Sequence, residues 1–256
     1  MLRLLRLGTL FALLLAAIAA RADTVVPDST IIPVRLNSTL SSRSAKPGQL
    51  VTARVMQDVP LPDNAKIPAG ATLAGKVTSV QRASAGDGGV ISLVFDTLRI
   101  PHENIRLTVH LRAIASMLEV RQAELPRNSD PTAAENTWTT VQIGGDVVYR
   151  GGGPVRNRSG VVGRPVDGGV LVRLDSNPGR GCRHDSTGER AQALWLFSSD
   201  ACGVYGLPNL IVAGQRSGAP VSTVGEITLH SAQGDVNVRN GSGLLLRVDA
   251  PGVPGA

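Results

Sequence analysis

The chain has 256 residues, of which 42% are hydrophobic and 3% aromatic, and its formal net charge is +6. The apolar content is sufficient for a sizeable core, which argues against a chain that is disordered over most of its length. Three of the positive charges, Arg3, Arg6 and Arg21, lie in the first 22 residues, so the remainder carries only +3. With so few aromatic residues to stack on bases, this weak charge argues against nucleic-acid binding.

The first predicted element is a secretory signal over residues 1–22. It has a basic start, an apolar stretch from Leu7 to Ala20, and small residues at Ala20 and Ala22. A membrane-spanning helix needs roughly 20 apolar residues, and this stretch is shorter. We therefore expect cleavage after Ala22 and no membrane span in the mature chain, which is placed in the periplasm or at the cell surface.

Residues 23–120 are predicted to form the first part of a β-barrel-like domain, because apolar and polar residues alternate with period two. Alternating segments of this kind are half-buried strands; they are Val51–Val55, Leu73–Val77, Ile105–Leu111 and the β-branched stretch Val90–Leu98, which follows the turn signal at residues 86–89. The one mildly helical stretch is Ile114–Glu124. Frequent Pro and Gly argue against long helices elsewhere.

A short internal similarity links three distant segments, each with apolar residues on one face, an arginine on the other, and Asn or Asp at the end. The segments are Ile32–Ser38, Val170–Ser176 and Leu244–Ala250. A first and a last strand built alike are able to pair with each other, which removes exposed sheet edges. This favours closure of the sheet; the alternative is a pattern common to exported strands in general.

The remaining segments complete the predicted architecture. Residues 121–169 are rich in Gly and Pro and are expected to be a flexible insertion, in which only Thr137–Tyr149 has strand character. Residues 170–250 are expected to form a second β part that completes the barrel, and residues 251–256 a loose tail. The predicted fold class is all-β: a closed or partly open antiparallel β-barrel or sandwich with a long Gly-rich insertion.

Three segments carry a resemblance to a known family: Gly48–Val55, Ile67–Val77 and Ile91–Ile100. Ile-Pro-x-Gly at residues 67–70 makes a tight turn before a strand, and Gly75 lets the backbone pass close at a bend. Over about residues 31–120 the chain resembles the β-barrel domain of conjugal-transfer TrbI-like proteins, which are scaffolds of type IV secretion channels. The resemblance implies a barrel and partners among envelope or secretion-system proteins. It extends neither to the membrane helix and Pro-rich linker of those scaffolds nor to their pore-lining helical pair.

No residue set in the sequence predicts a catalytic, cofactor or metal site. His102, His110, His184 and His230 are scattered without metal-ligand spacing, and the adjacent His184, Asp185 and Ser186 rarely orient into a triad. Carboxylates are harder to exclude, because Asp96, Glu103 and Glu119 are able to converge in a fold.

These observations favour an exported, non-catalytic envelope protein that acts as a binding or assembly module. The alternative is an exported hydrolase with a carboxylate-based site. A carbohydrate-binding module is a third hypothesis, disfavoured by the scarcity of aromatic residues.

The two cysteines, Cys182 and Cys202, are predicted to form one disulfide, because export would place them in an oxidising compartment. We expect Cys182→Ser or Cys202→Ser to lower the melting temperature under oxidising conditions, since closing a loop of this size contributes on the order of 3 kcal/mol. Thermal unfolding with and without reductant tests this, the reduced wild-type chain being the control. An unchanged transition would mean that the thiols are unpaired.

Overall fold

The computed structural model describes residues 24–125, 139–149, 153–166, 169–174, 190–213 and 225–254. The fold is all-β, with 55% strand and 6% helix, and it contains a closed six-stranded antiparallel barrel with additional strands. The predicted fold class is therefore confirmed. The predicted signal at residues 1–22 lies outside the described residues.

The described residues form nineteen strands and one α-helix, in chain order. The strands are β1 Ile31–Leu36, β2 Leu40–Ser41, β3 Leu50–Val55, β4 Val59–Pro60, β5 Lys66–Ile67, β6 Thr72–Gln81, β7 Val90–Ile100, β8 Glu103–Ala115, β9 Thr139–Val141, β10 Val147–Tyr149, β11 Val155–Asn157, β12 Gly160–Val166, β13 Gly169–Val172, β14 Gln192–Ala193, β15 Gly203–Tyr205, β16 Leu210–Val212, β17 Glu226–Ser231, β18 Asn237–Val238 and β19 Gly243–Pro254; the helix α1 is Met117–Glu124, and a short 3-10 turn covers Pro62–Asn64.

The barrel is a ring of six strands in the order β8, β19, β1, β3, β6 and β7, and every neighbouring pair is antiparallel. Pairing of β7 with β8 closes the ring. Strands β17 and β16 extend the sheet from β7, and β15 pairs with β8 in parallel. The four strands expected from alternation all lie in this ring, and their apolar residues fill its interior.

The first and last ring strands pair with each other, as their internal similarity predicts. In β1 and β19, Ile32 lies opposite Leu246 and Val34 opposite Leu244. The third similar segment, which begins at Val170, lies outside the ring in a second sheet. Similarity of pattern therefore identified the closing pair but not a third equivalent strand.

The second sheet has six strands in the order β14, β13, β12, β11, β10 and β9. Its two edges approach each other, because Ile143, just after β9, bridges Phe197 in the segment that follows β14. The segment expected to be a flexible insertion thus contains four strands, β9 to β12, where it is described. Strands β13 and β14 belong to this sheet, whereas β19, from the same predicted second β part, completes the barrel. Periodicity missed β11 because it has only three residues, and β12 because it contains Gly and Pro.

The second sheet packs on the outer face of β1, β19 and β8, so that this wall of the barrel is buried on both faces. Ile32, Leu244 and Leu246 point into the barrel. Their neighbours point outward into a second core, to which Ile31, Leu245, Ala113 and Ala115 contribute from the wall, α1 contributes Val120 and Ala123, and the second sheet contributes Val155, Val172 and others. Such two-sided burial explains why Leu244–Leu246 is continuously apolar.

Residues 251–254 continue β19, whereas the sequence predicts a loose tail. Pro254 lies opposite Ile105 of β8 in the register, and register shifts along β19 accommodate the proline-containing end. Gly252 also exchanges two backbone hydrogen bonds with Val26, at 2.7 and 3.2 Å. These two hydrogen bonds hold Gly252 in place, within a segment that the composition predicts to be loose.

Two further observations concern the predicted disulfide and the membrane. Cys202 is buried, whereas Cys182 lies outside the described residues, so their pairing stays a prediction. In the described part of the chain, no helix is both long and apolar enough to cross a bilayer.

Gly75 of β6 allows the close strand approach that the sequence suggests. A Cβ atom at this position would lie 1.8 Å from the carbonyl oxygen of Val94 on β7. The register between β6 and β7 shifts at Ala74 and Gly75, which marks a bulge. A side chain here would have to displace backbone, because the nearest atoms belong to the main chain.

We therefore expect Gly75→Ala to lower the free energy of unfolding by about 1–3 kcal/mol, the typical cost of overpacking. Urea denaturation measures the change, and Ser79→Ala, at an exposed position of the same strand, is the control. Equal stability of the two variants would contradict the close approach at Gly75.

Candidate functional site

Two adjacent cavities flank Trp195 where the second sheet meets the barrel. The sheet cavity, about 340 Å³, lies between α1 and the second sheet, and the barrel cavity, about 490 Å³, lies against β1 and β3. Both volumes fall in the range typical of ligand sites. We call the two cavities together, with Trp195 between them, the Trp195 groove.

Trp195 is held by backbone contacts on both sides. The segment after β14 alternates, so that Leu194 and Leu196 are buried and Trp195 is 38% exposed. The Leu194 N–H donates to the Val170 carbonyl at 3.1 Å. The Trp195 carbonyl accepts from the Gln142 side-chain amide at 2.9 Å. The indole therefore projects from a fixed backbone toward both cavities.

The sheet cavity has mainly apolar walls and a second exposed aromatic. Tyr149, at the end of β10, is 44% exposed. The apolar lining comes from α1, from β10, β12 and β13, and from the segment after β14: Ala123, Val148, Pro165, Val166, Val170 and Leu196. Thr140, Gln142 and Glu124 supply its polar groups. Such a lining suits an apolar group with a few hydrogen bonds at its edge.

The barrel cavity carries two arginines on neighbouring strands. Arg35 of β1 lies directly opposite Arg54 of β3 in the register. Both line the cavity with Asn37, Asn240 and Met56. Like charges at directly opposed positions repel each other. Among the described lining residues there is no carboxylate, so this cavity has a positive wall.

An ion pair joins the two cavities. Arg35 donates to the carboxylate of Glu124, and both side chains are partly exposed. Helix α1 positions Glu124: Ser116 caps its first turn by accepting from the Glu119 N–H at 3.2 Å, and the helix buries Val120 and Ala123 against the second core. The pair neutralises Arg35, whereas Arg54 lies beyond it on β3.

The turn between β9 and β10 places an amide without a full set of partners at the sheet cavity. Gln142 is buried, and its Oε1 has no hydrogen-bond partner among the described residues. Its backbone N–H donates to the Asp146 carbonyl at 2.7 Å, which closes the turn. The Asp146 carboxylate accepts from the Ser199 N–H at 2.7 Å. Burial raises the pKa of Asp146, and the hydrogen bond from Ser199 opposes that shift.

The carboxylates considered for a hydrolase are not brought together. Asp96 is four residues along β7 from Ile100, which pairs with Glu103, so about 13 Å of strand separates the two backbone positions. Glu119 follows the far end of β8, beyond Ala115. None of the three lines either cavity.

The described histidines occupy separate places. His102 has a positive φ of 71° in the turn between β7 and β8, His110 of β8 pairs with Asp249, and His230 lies on β17. His184 falls outside the described residues. Within the described ranges, no group of three or more His, Cys, Asp or Glu side chains is arranged to hold a metal ion.

Sequence reasoning missed the groove, although it noted some of its residues. Arg35 belongs to the repeated strand pattern, and Trp195 lies in the predicted second β part. The alternation of Leu194, Trp195 and Leu196 was the available signal, because it points the indole away from the core. Nothing in the sequence showed that Tyr149, 46 positions earlier, lines a cavity with it.

No known protein family and no curated protein matches the chain. Among solved structures, it is similar to ComB10 of the Com type IV secretion system of Helicobacter pylori, with 26% sequence identity and a TM-score of 0.25. The match covers 33% of this chain and 43% of that chain, which is less than half of either.

The raised pKa of Asp146 predicts how stability depends on pH. The unfolded chain has the ordinary value of 3.8 and the folded chain a higher one. The folded state therefore binds more protons between the two values, and stability falls as pH rises through that window. We expect Asp146→Asn, which keeps an acceptor for Ser199, to gain stability relative to wild type as pH rises above 3.8.

Urea denaturation of both chains at a series of pH values measures this difference. Asp58 provides a control of opposite sign, because its hydrogen bond from Lys66 lowers its pKa. Asp58→Asn should lose stability relative to wild type as pH rises through that lowered pKa toward 3.8. A pH-independent difference between Asp146→Asn and wild type would contradict the assignment.

Proposed function

We propose that this chain is an exported, non-catalytic envelope protein that acts as a binding or assembly module built on a TrbI-like barrel. Its place is the periplasm or the cell surface, and its partners are envelope or secretion-system proteins. The observation that carries the proposal is the Trp195 groove, in which two exposed aromatic side chains border cavities at a junction of two packed sheets.

The exposure of Trp195 supports binding because its apolar neighbours in the same segment are buried. Phe197, two residues from Trp195, is fully buried, and so is Leu194. Aromatic and arginine side chains are enriched among the residues that dominate the energetics of protein interfaces. Trp195, Tyr149, Arg35 and Arg54 supply both kinds on one surface.

The surroundings of the groove support recognition of a partner without large rearrangement. Gln57 donates from its side-chain amide to the Val170 carbonyl at 3.0 Å, and the Ile31 N–H donates to the Gln192 side chain at 3.0 Å. These bonds and the second core tie the second sheet to the barrel wall. A surface held in this way loses little conformational entropy when it binds.

The separation of Asp96, Glu103 and Glu119 supports the non-catalytic part of the proposal. A glycosidase needs two carboxylates on either side of one bond, within about 10 Å. The one carboxylate that lines the groove, among the described residues, is Glu124, and it pairs with Arg35.

Site-specific photo-cross-linking in the native envelope tests the proposal. Tyr149 is replaced by p-benzoylphenylalanine in one tagged variant, and Asp96 in a second, which is the matched control. Asp96 is exposed on β7, the ring strand diametrically opposite β1. We expect the first variant, and not the second, to recover a secretion, pilus or outer-membrane component.

Adding Trp195→Ala to the first variant should lower the yield of that product at least about tenfold, the effect expected when a central aromatic anchor is lost. Recovery of the chain alone, or of self-oligomers only, from both positions would overturn the assembly proposal.

A further inference from the structure

We infer that the Trp195 groove binds an extended peptide segment of the partner in which an apolar side chain lies next to a carboxylate. The inference rests on the proposed function and specifies the chemistry of the partner. It follows from the unequal character of the two cavities.

The barrel cavity selects an anion. Arg35 and Arg54 lie on the outer face of adjacent strands, at directly opposed positions, and both line the cavity. Glu124 approaches Arg35 from the side of the sheet cavity, and the described lining of the barrel cavity holds no carboxylate of its own. An anion in this cavity would form charge-assisted hydrogen bonds with Arg54, because Glu124 already neutralises Arg35.

The sheet cavity selects an apolar group. Its walls are aliphatic and aromatic, and its single described charge, Glu124, is paired with Arg35. A second anionic group would be repelled by Glu124. Because the two cavities differ in this way, the occupant has a fixed direction across Trp195.

A peptide fits this site because one short segment supplies an apolar side chain for the sheet cavity and a carboxylate for Arg54. The exposed aromatic residues of the groove, Trp195 and Tyr149, are of the kind that dominates the energetics of protein interfaces.

The sheet cavity and the barrel cavity are separated by about the width of one side chain, because Trp195 lines both. In an extended peptide, neighbouring residues advance by about 3.3 Å and point to opposite sides. The apolar residue and the acidic residue are therefore adjacent or nearly adjacent in the partner sequence.

Selection of random dodecapeptides displayed on phage against the immobilised full chain tests the inference. We expect enriched sequences to place Asp or Glu beside a large apolar residue. Synthetic versions of these peptides should lose at least about tenfold in affinity when the acid is replaced by its amide, and affinity should fall as salt rises. Enrichment of sequences without an acidic residue, or no enrichment at all, would overturn it.

Variants of the chain locate the binding to the two cavities. Phage selection against Arg54→Glu should no longer enrich peptides that contain an acidic residue. Tyr149→Ala should weaken the binding of every peptide selected against the wild-type chain. Arg99→Glu, at an exposed position of β7 outside both cavities, is the charge-matched control and should bind as wild type does. Full affinity of Arg54→Glu would overturn the inference.

The two proposals fail in different ways. If cross-linking through position 149 recovers an envelope partner while the peptide selection fails, the assembly function stands and the acidic peptide is wrong. If cross-linking recovers no partner while acidic peptides bind, the groove has a ligand that is not an envelope assembly component.

Discussion

The wall formed by β1, β19 and β8 is the constraint on which the rest of the structure depends. Its inward side chains fill the barrel, and its outward side chains, Ile31 and Leu245 among them, fill the core beneath the second sheet. A strand buried on both faces has no polar face to expose, so the second sheet is needed to cover the wall. The barrel and the second sheet therefore depend on each other for the burial of their apolar side chains.

The same wall sets the position of the groove. Helix α1 follows β8 directly and lies against the second core, which carries Glu124 to Arg35 on the neighbouring surface of β1. The second sheet brings Trp195 to the same place through hydrogen bonds to Val170 and Gln142. The cavities lie at this seam because two curved sheets cannot match along their full contact.

Local pattern predicted the barrel strands well and the second sheet poorly. The ring strands have the alternation that one-sided burial imposes, and Val51–Val55 and Ile105–Leu111 display it plainly. Strands β9 to β11 have three residues each, which is too short for a period to be established. Composition misled most where Gly and Pro are frequent, since β12 and the end of β19 contain both and are nevertheless paired.

The groove was beyond sequence reasoning for a different reason. Its parts come from β1, β3, α1, β10 and the segment after β14, and no local pattern records which of these meet. The few aromatic residues, counted over the whole chain, argued against nucleic-acid and carbohydrate binding. That count could not show that Trp195 and Tyr149 border a single cavity.

Closure of the barrel by its first and last strands has a consequence for how the chain reaches this fold. Ser29 and Arg247 form a hydrogen bond of 2.8 Å although they are 218 positions apart. Contacts so distant in sequence make folding slow, because the loss of chain entropy precedes the stabilising contact. During synthesis, the edge of β1 that pairs with β19 stays open until that last strand has emerged. A nascent chain of this kind depends on protection from aggregation for almost the whole of its elongation.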